Sequence, residues 1–296
     1  MLSKLSNFLV FSVFLFWGNI MFAQDLSQKE FVSQTFSHWQ LINCQTTEVI
    51  PAKGMEFRIQ HRFGAVDSFD DLYYQFLGLD LPANIRYSFG GALSDKLYIG
   101  IGRAKYGKIY DFEMKYKILR QTKDDSPPMS LAAYFNASSY TTSFPSVPEN
   151  YYFEDSTTVF EYKPAHRLSY NTQLIIARKF SNKLSLQLAA VFIYQNLVPV
   201  GKDNYTLAIP VSGRYKVGVT SSILFEFTHV INNKSENHVP PFSLAYEIVS
   251  TGHAFQIVLS STQNLTEQEI YTSDSYDYRD GKFLFGFNIK RNFWRK

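Results

Sequence analysis

The sequence predicts an all-β fold: a single closed up-and-down antiparallel β-barrel of about twelve strands, of the transmembrane outer-membrane type. Three observations predict it. Apolar and polar residues alternate with period two in segment after segment, the repeat of a strand that has one face in oil and one in water. Aromatic residues make up 17% of the 296 residues, an excess that interfacial aromatic belts require. The chain also ends on a strand with Phe283, Phe285, Phe287, Ile289 and Phe293 on one side and Gly286, Asn288, Lys290 and Asn292 on the other. That terminal aromatic row reads as the signal strand recognised by the outer-membrane assembly machinery.

Residues 1–23 read as a signal peptide. Lys4 supplies the positive end, Leu5 to Phe22 the apolar run, and Met21-Phe22-Ala23 a small residue at the cut, so the mature chain is expected to start near Gln24. Ser6, Asn7, Ser12, Gly18 and Asn19 interrupt the run, which leaves it short of the roughly 20 apolar residues of a membrane helix. Residues 24–53 have no clean period and end in the turn-like Pro51-Ala52-Lys53-Gly54. They are expected to be an N-terminal periplasmic arm, a plug or a short extra strand. The barrel takes 54–296. Cys44, the lone cysteine, cannot form an internal disulfide, so packing and ladder hydrogen bonds must hold the fold.

The strands follow in order. Met55, Phe57, Ile59 and Phe63 alternate with Glu56, Arg58, Gln60 and Arg62, and Ile85, Tyr87 and Phe89 with Asn84, Arg86 and Ser88. In the third, Leu97, Ile99 and Ile101 oppose Tyr98, Gly100 and Gly102, with Arg103 following. The fourth sets Tyr110, Phe112, Met114, Tyr116 and Ile118 against Asp111, Glu113, Lys115 and Lys117, and four charges on one face mean that the face is wet. Alternation weakens over 130–138, 168–178 and 184–195, whose inward positions include Asn136, Asn171, Gln173, Ser185 and Gln187. The rest span 206–216, 221–229, 242–249, 253–261 and 283–294.

Connection lengths test this reading independently, because outer-membrane barrels have short periplasmic turns and longer outer loops. With the N-terminus in the periplasm, the outer connections are 64–83, 104–109, 139–167, 196–205, 230–241 and 262–281, mostly long. Those on the other side are mostly tight, although 104–109 and 120–128 break the rule. An even strand count brings the first and last strands together, which removes the sheet edge. A short helical turn is expected around Asp70 to Phe76.

Several stretches also resemble a known family: His61-Arg62-Phe63-Gly64, Gly78-Leu79-Asp80, Ile99-Gly100-Ile101-Gly102-Arg103, Lys117-Ile118-Leu119-Arg120-Gln121, Leu168-Ser169-Tyr170, Ile176-Ala177-Arg178-Lys179-Phe180, Gly252-His253-Ala254-Phe255-Gln256 and Phe285-Gly286-Phe287-Asn288-Ile289. Together, in this order, they resemble the β-barrel family catalogued as domain of unknown function 5777. The resemblance spans nearly the whole mature chain and implies a barrel of outer-membrane type with no assigned activity.

Glu56, Arg58, Arg62, Arg86, Arg103, Asp111, Glu113, Lys115, Lys117, Arg214, Lys216, Glu226, Glu247 and Lys290 fall on inward positions. Sheltered charges must pair or stay hydrated. They therefore form either a salt-bridge ladder or the wall of a narrow aqueous passage, and the ladder is favoured because small-barrel interiors are commonly filled by side chains. His61 and His253 lack partners at ligand spacing, so no metal or cofactor is expected. Ser260 and Ser261 have no His-and-Asn pair placed with them and no Gly-x-Ser-x-Gly elbow appears, which argues against an enzyme. A formal net charge of +3 gives no footprint for nucleic acid. The leading expectation is a small diffusion or transport pore of unknown solute in the outer membrane, gated by loop 139–167, whose Tyr140, Phe144, Tyr151, Tyr152 and Phe153 would fold inward or bind something at the surface. The alternative is a closed structural or binding barrel that engages a protein partner or ligand through its outer loops or its N-terminal arm. The partners in either case are the lipid bilayer and the assembly machinery.

Overall fold

The computed structural model describes residues 30–153, 155–236 and 238–294, so the expected leader at 1–23 lies outside the described residues. Among the described residues twelve strands form one sheet. They are β1 (Gly54–Val66), β2 (Asn84–Ala92), β3 (Leu97–Ala104), β4 (Tyr110–Leu119), β5 (Ser130–Ser139), β6 (Leu168–Lys179), β7 (Leu184–Gln195), β8 (Tyr205–Lys216), β9 (Ser221–Val230), β10 (Phe242–Ser250), β11 (His253–Ser260) and β12 (Phe283–Trp294). Each pairs antiparallel with its sequence neighbours, and β1 pairs with β12 to close the barrel. The closing register runs from Gly54 opposite Trp294 to Val66 opposite Phe283, with a bulge between Arg62 and Ala65. Every strand edge is thereby paired, which removes the open ladder that lipid could not satisfy.

Burial alternates along the strands as the period-two pattern dictates, residue by residue in β1 from Gly54 onward. The outward row is apolar: Ile101, Leu188, Val211, Ile223, Ile248 and Ile257 are all exposed. Aromatics flank this band. Tyr194 pairs with Tyr205 toward one mouth of the barrel, and Tyr116, Tyr215 and Trp294 lie toward the mouth where β1 begins. Exposed apolar residues on this scale in a folded chain belong against lipid.

At the mouth where β1 begins, the turns are mostly tight. Thr251-Gly252 joins β10 to β11, with Gly252 at φ +77, a backbone region that costs glycine nothing. The longer connections sit at the opposite mouth. In the first, helix α1 (Phe69–Tyr74) forms where the helical turn was expected, held by a capping box. The Ser68 hydroxyl accepts from Asp71 N at 3.3 Å, and the Asp71 carboxylate accepts from Ser68 N at 3.1 Å. Helix α2 (Glu267–Thr272) lies in the last connection, between β11 and β12.

Candidate functional site

The bore is occupied. Residues 36–50 leave the mouth beside β1, run up the interior, turn, and come back down. Gln40 bridges Gln45, Leu41 N donates to Cys44 O at 2.9 Å and Thr46 N to Trp39 O at 3.0 Å, so the segment is a hairpin with Ile42 and Asn43 at its tip. It cannot complete a ladder alone, and buried backbone groups must be paired. The barrel wall pairs them. Glu226 on β9 accepts from three consecutive backbone amides, Ile42 N at 2.8 Å, Asn43 N at 2.9 Å and Cys44 N at 2.8 Å, and from Asn43 Nδ2 at 3.1 Å. Three successive N–H groups converging on one carboxylate form an anion-holding nest.

The carbonyls of the hairpin are met from other strands. Lys290 donates to Gln40 O and, at 2.6 Å, to Leu41 O, and Lys115 donates to Trp39 O. Gln256 reaches Leu41 O at 3.1 Å, Asn288 reaches Ile42 O at 3.0 Å, and Gln187 reaches Gln45 O at 2.7 Å. From β1, Arg58 donates to Gln40 Oε1 at 2.8 Å and Arg62 to Asn43 Oδ1 at 2.9 Å. The hairpin is also apolar where the wall is apolar. Phe36, Leu41 and Ile42 cluster with Ala177, Leu224, Ala245 and Val258, while Trp39, Val49 and Ile50 pack against Tyr98.

Beside the hairpin, β1 to β5 carry a ladder of paired charges. Arg86 forks onto Asp111 through Nε (3.1 Å) and Nη2 (2.6 Å), a bidentate pair. Arg58 lies 3.1 Å from Glu56 and donates to Glu113, whose other oxygen accepts from Tyr134 OH at 3.2 Å. Tyr98 OH donates to Glu56 at 2.7 Å. Gly102 makes room for this: a Cβ there would stand 2.4 Å from Arg86 Nη2 and 2.5 Å from Asp111 Oδ2.

A second element enters from the far mouth. The loop between β11 and β12 folds into the bore, with Glu267, Gln268, Glu269, Ile270 and Tyr271 of α2 all buried. Ile270 and Tyr271 pack on Tyr134, Ile175, Val191, Ile193 and Ala208 of the wall. Gln268 Nε2 donates to Asn136 Oδ1 at 2.5 Å, and Glu267 accepts from Gln173 Nε2 at 2.7 Å and Asn171 Nδ2 at 3.3 Å. The two intruding elements touch: Gln45 N donates to the other Glu267 oxygen at 3.3 Å, and Cys44 Sγ lies 3.5 Å from Tyr271 OH.

Of the charges expected to face inward, Glu56, Arg58, Arg62, Arg86, Asp111, Glu113, Lys115, Arg214, Glu226, Glu247 and Lys290 are buried inside the bore. Arg103, Lys117 and Lys216 are half-buried near strand ends, where Lys117 meets Glu48 at 3.6 Å and the Arg103 guanidinium lies 4.7 Å from the Tyr110 ring centroid. Phe283, Phe285, Phe287, Ile289 and Phe293 are half-exposed on the outer face, with the Phe287 ring stacked on His61 at 4.9 Å. Ser260 and Ser261 serve as local bridges, Ser260 to Ser243 at 2.9 Å and Ser261 to Phe242 N at 2.9 Å.

The expectation that loop 139–167 folds inward needs correction. Tyr140 at its start lies near Glu269 of the bore, but the other aromatics pack within the loop: Phe144 stacks on Tyr162 at 4.4 Å and Phe160 meets Tyr151 and Phe153 edge-on, while Tyr151 and Tyr152 stay exposed. A loop that satisfies its apolar side chains internally gains little by entering the barrel. The loop that enters is 261–282, which has Ile270 and Tyr271 to bury against an apolar stretch of wall. Glu267, Gln268 and the hairpin tip were not singled out from sequence. Their signal was the weak alternation of β6 and β7, where Ile175, Ala177, Ala189, Val191 and Ile193 put apolar side chains on the inner face and so require an apolar lodger.

Comparison with known proteins bears on the architecture. No curated protein matches the chain. Among solved structures, the NanC porin is similar with a TM-score of 0.48 at 7% identity, over 82% of this chain and 100% of that one. The KdgM porin is similar with a TM-score of 0.46 at 8% identity, over 81% and 99%. Outer membrane phospholipase A from Escherichia coli is similar with a TM-score of 0.44 at 9% identity, over 82% and 91%. A family model described as "Membrane bound beta barrel domain (DUF5777)" matches residues 36–293, a span that takes in the hairpin, β1 to β11 and all of β12 but its last residue, and the chain belongs to that family of membrane β-barrels.

Proposed function

We propose that this membrane barrel sits in the outer membrane with its tight-turn mouth toward the periplasm, and that it is closed at rest by its own N-terminal hairpin and last outer loop. The observation that carries the reading is the grip on the hairpin: Glu226 holds its tip from one side while Lys115, Lys290, Arg58 and Arg62 hold it from the others. Charged residues bonded to a guest peptide are committed to it, and a water-filled pathway along them requires those bonds to break. A permanently open diffusion pore therefore fits less well than a closed barrel through which solutes pass, if at all, only after the hairpin moves.

Planar-bilayer recording tests the reading. The mature full chain is expected to give no stepwise conductance. A variant that lacks residues 36–50, with 263–275 replaced by a short Gly-Ser linker, is expected to conduct. A conducting full chain rejects closure at rest, and so does a silent double variant that migrates as a folded, heat-modifiable barrel.

We also assign the outward row of β12 to recognition by the outer-membrane assembly machinery, because it presents a row of aromatics to lipid on the strand that closes the barrel against β1. Phe287→Ser with Phe293→Ser is expected to lower several-fold the folded protein recovered from cell membranes, while refolding into detergent from urea proceeds. Equal losses in both settings would assign the row to stability alone.

A further inference from the structure

The hairpin and α2 come from opposite ends of the chain's barrel and enter from opposite mouths, yet they end against each other. We propose that they form one two-part latch, so that withdrawing α2 at the outer surface loosens the hairpin at the periplasmic surface. This inference rests on the closed-barrel reading and adds to it a route by which an event outside the cell reaches the N-terminal arm.

The contacts that couple the halves are few and buried. Glu267 is shared: one oxygen takes the Gln45 amide of the hairpin at 3.3 Å, and the other takes Gln173 and Asn171 of β6. When α2 leaves, Gln45 N loses its acceptor inside the bore, and an orphaned buried donor is destabilising. Tyr271 OH leaves Cys44 at the same time, and the Ile270 and Tyr271 side chains uncover the wall above the hairpin tip. The remaining grip, from Glu226 and the wall lysines, holds the hairpin from the side, and its bonds must break before the hairpin leaves downward. Beyond the mouth the arm continues along the rim, where Val32 N donates to Gln121 O at 2.9 Å and Glu30 meets Lys123 at 2.7 Å on an exposed turn. The Glu30–Lys123 pair lies in water, where such pairs contribute little, whereas the backbone bond to the buried Gln121 keeps the arm on the rim. The arm therefore stays tethered at the periplasmic rim when the hairpin loosens, and α2 is the part of its seat that an outer-surface ligand can reach.

Coupling between two sites is reciprocal, so each half should loosen the other by the same factor. The test uses the full-length chain in lipid vesicles with Cys44→Ala and Val49→Cys. Val49 is buried at the hairpin's lower end, packed with Trp39, Ile50 and Tyr98 and remote from α2, so its thiol-labelling rate counts hairpin departures rather than the uncovering of the tip. Replacing 263–275 by a short linker is expected to raise that rate at least tenfold. Glu267→Ala, which leaves the loop in place, is expected to raise it several-fold and serves where the shortened loop fails to fold. A labelling rate at Val49→Cys unchanged in both overturns the latch. If the double deletion conducts while these rates stay flat, closure stands and coupling alone fails. If the double deletion is silent, the closed-barrel reading fails whatever the labelling shows.

Discussion

Glu226 is the side chain on which the interior is organised. Its carboxylate is 4% exposed and takes three backbone amides and the Asn43 side chain, so its removal orphans several buried donors at once. Each such donor costs about 1–3 kcal/mol. Glu226→Ala is therefore expected to destabilise the seated hairpin by roughly 3 kcal/mol or more while leaving the barrel ladder intact. Glu226→Gln keeps one acceptor oxygen and should cost less. Cys44, the chain's own thiol at the hairpin tip, reports the result: its labelling should rise steeply in Glu226→Ala and modestly in Glu226→Gln. Heat-modifiable gel migration, which reads the barrel, should stay unchanged. Equal labelling in all three proteins would show that the tip is held by packing and the wall lysines instead.

At the scale of elements, the strands were legible and the lodgers were not. Period-two alternation is written in each strand separately, so β1, with three charges on its inner face, and β4, with four, could be read without any partner. The hairpin has no such period because the acceptors and donors for its backbone are side chains from distant strands, an arrangement that no local pattern encodes. The N-terminal segment was readable as an irregular piece ending in a turn, with an arm, a plug and a short extra strand all left open. Loop 139–167 drew attention through its aromatics, but Phe144, Tyr151 and Phe153 meet other rings of the same loop. Helix α2 enters instead, carrying Glu267 and Glu269 on the loop that joins β11 to β12, outside the membrane-spanning strands. Burial pushes the Glu269 carboxyl up to about 7 and that of Glu267 up to about 8, from 4.5. Glu267 feels Glu226 of β9 and Lys115 of β4 besides its Gln45 and Gln173 donors, and Glu269 sits by the Thr266 hydroxyl and near Tyr140. A carboxyl raised in the docked state is neutral there and ionises on release, so docking is fully favoured below 4.5 and weakens as pH climbs through about 7 and about 8. An Ile270→Cys, Cys44→Ala protein should therefore label several-fold faster above this window than below it, once normalised to a free thiol at the same pH. Glu267→Gln with Glu269→Gln should flatten the profile, and a profile that survives those changes would place the pH response elsewhere.

For the whole molecule, one physical inversion decides the class. A soluble barrel with the same strands hides its apolar faces, and here Ile101 and Ile257 stand 62% and 66% exposed on the outside while Arg58, Arg62 and Lys290 are almost fully enclosed. The two states of the molecule are thus an interior held by hydrogen bonds and an exterior that needs hydrocarbon, and the sign of a single substitution separates lipid from water as the outer medium. Ile257 lies in the middle of β11, opposite Phe287 on one side and Tyr246 on the other, so its depth is near the middle of the bilayer. In water, Ile257→Lys would remove an exposed apolar residue and leave stability unchanged or better. In lipid, a lysine at the midplane costs about 2–4 kcal/mol. Urea titrations of folding into short-chain phosphatidylcholine vesicles should show that loss for Ile257→Lys, and a much smaller one for Phe180→Lys, which sits in the turn after β6 at the barrel's rim. Depth dependence is the point of the pair: equal, small effects at both positions would mean that the outer face is wet, whereas a steep fall from midplane to rim is the signature of a bilayer pressing on the barrel wall.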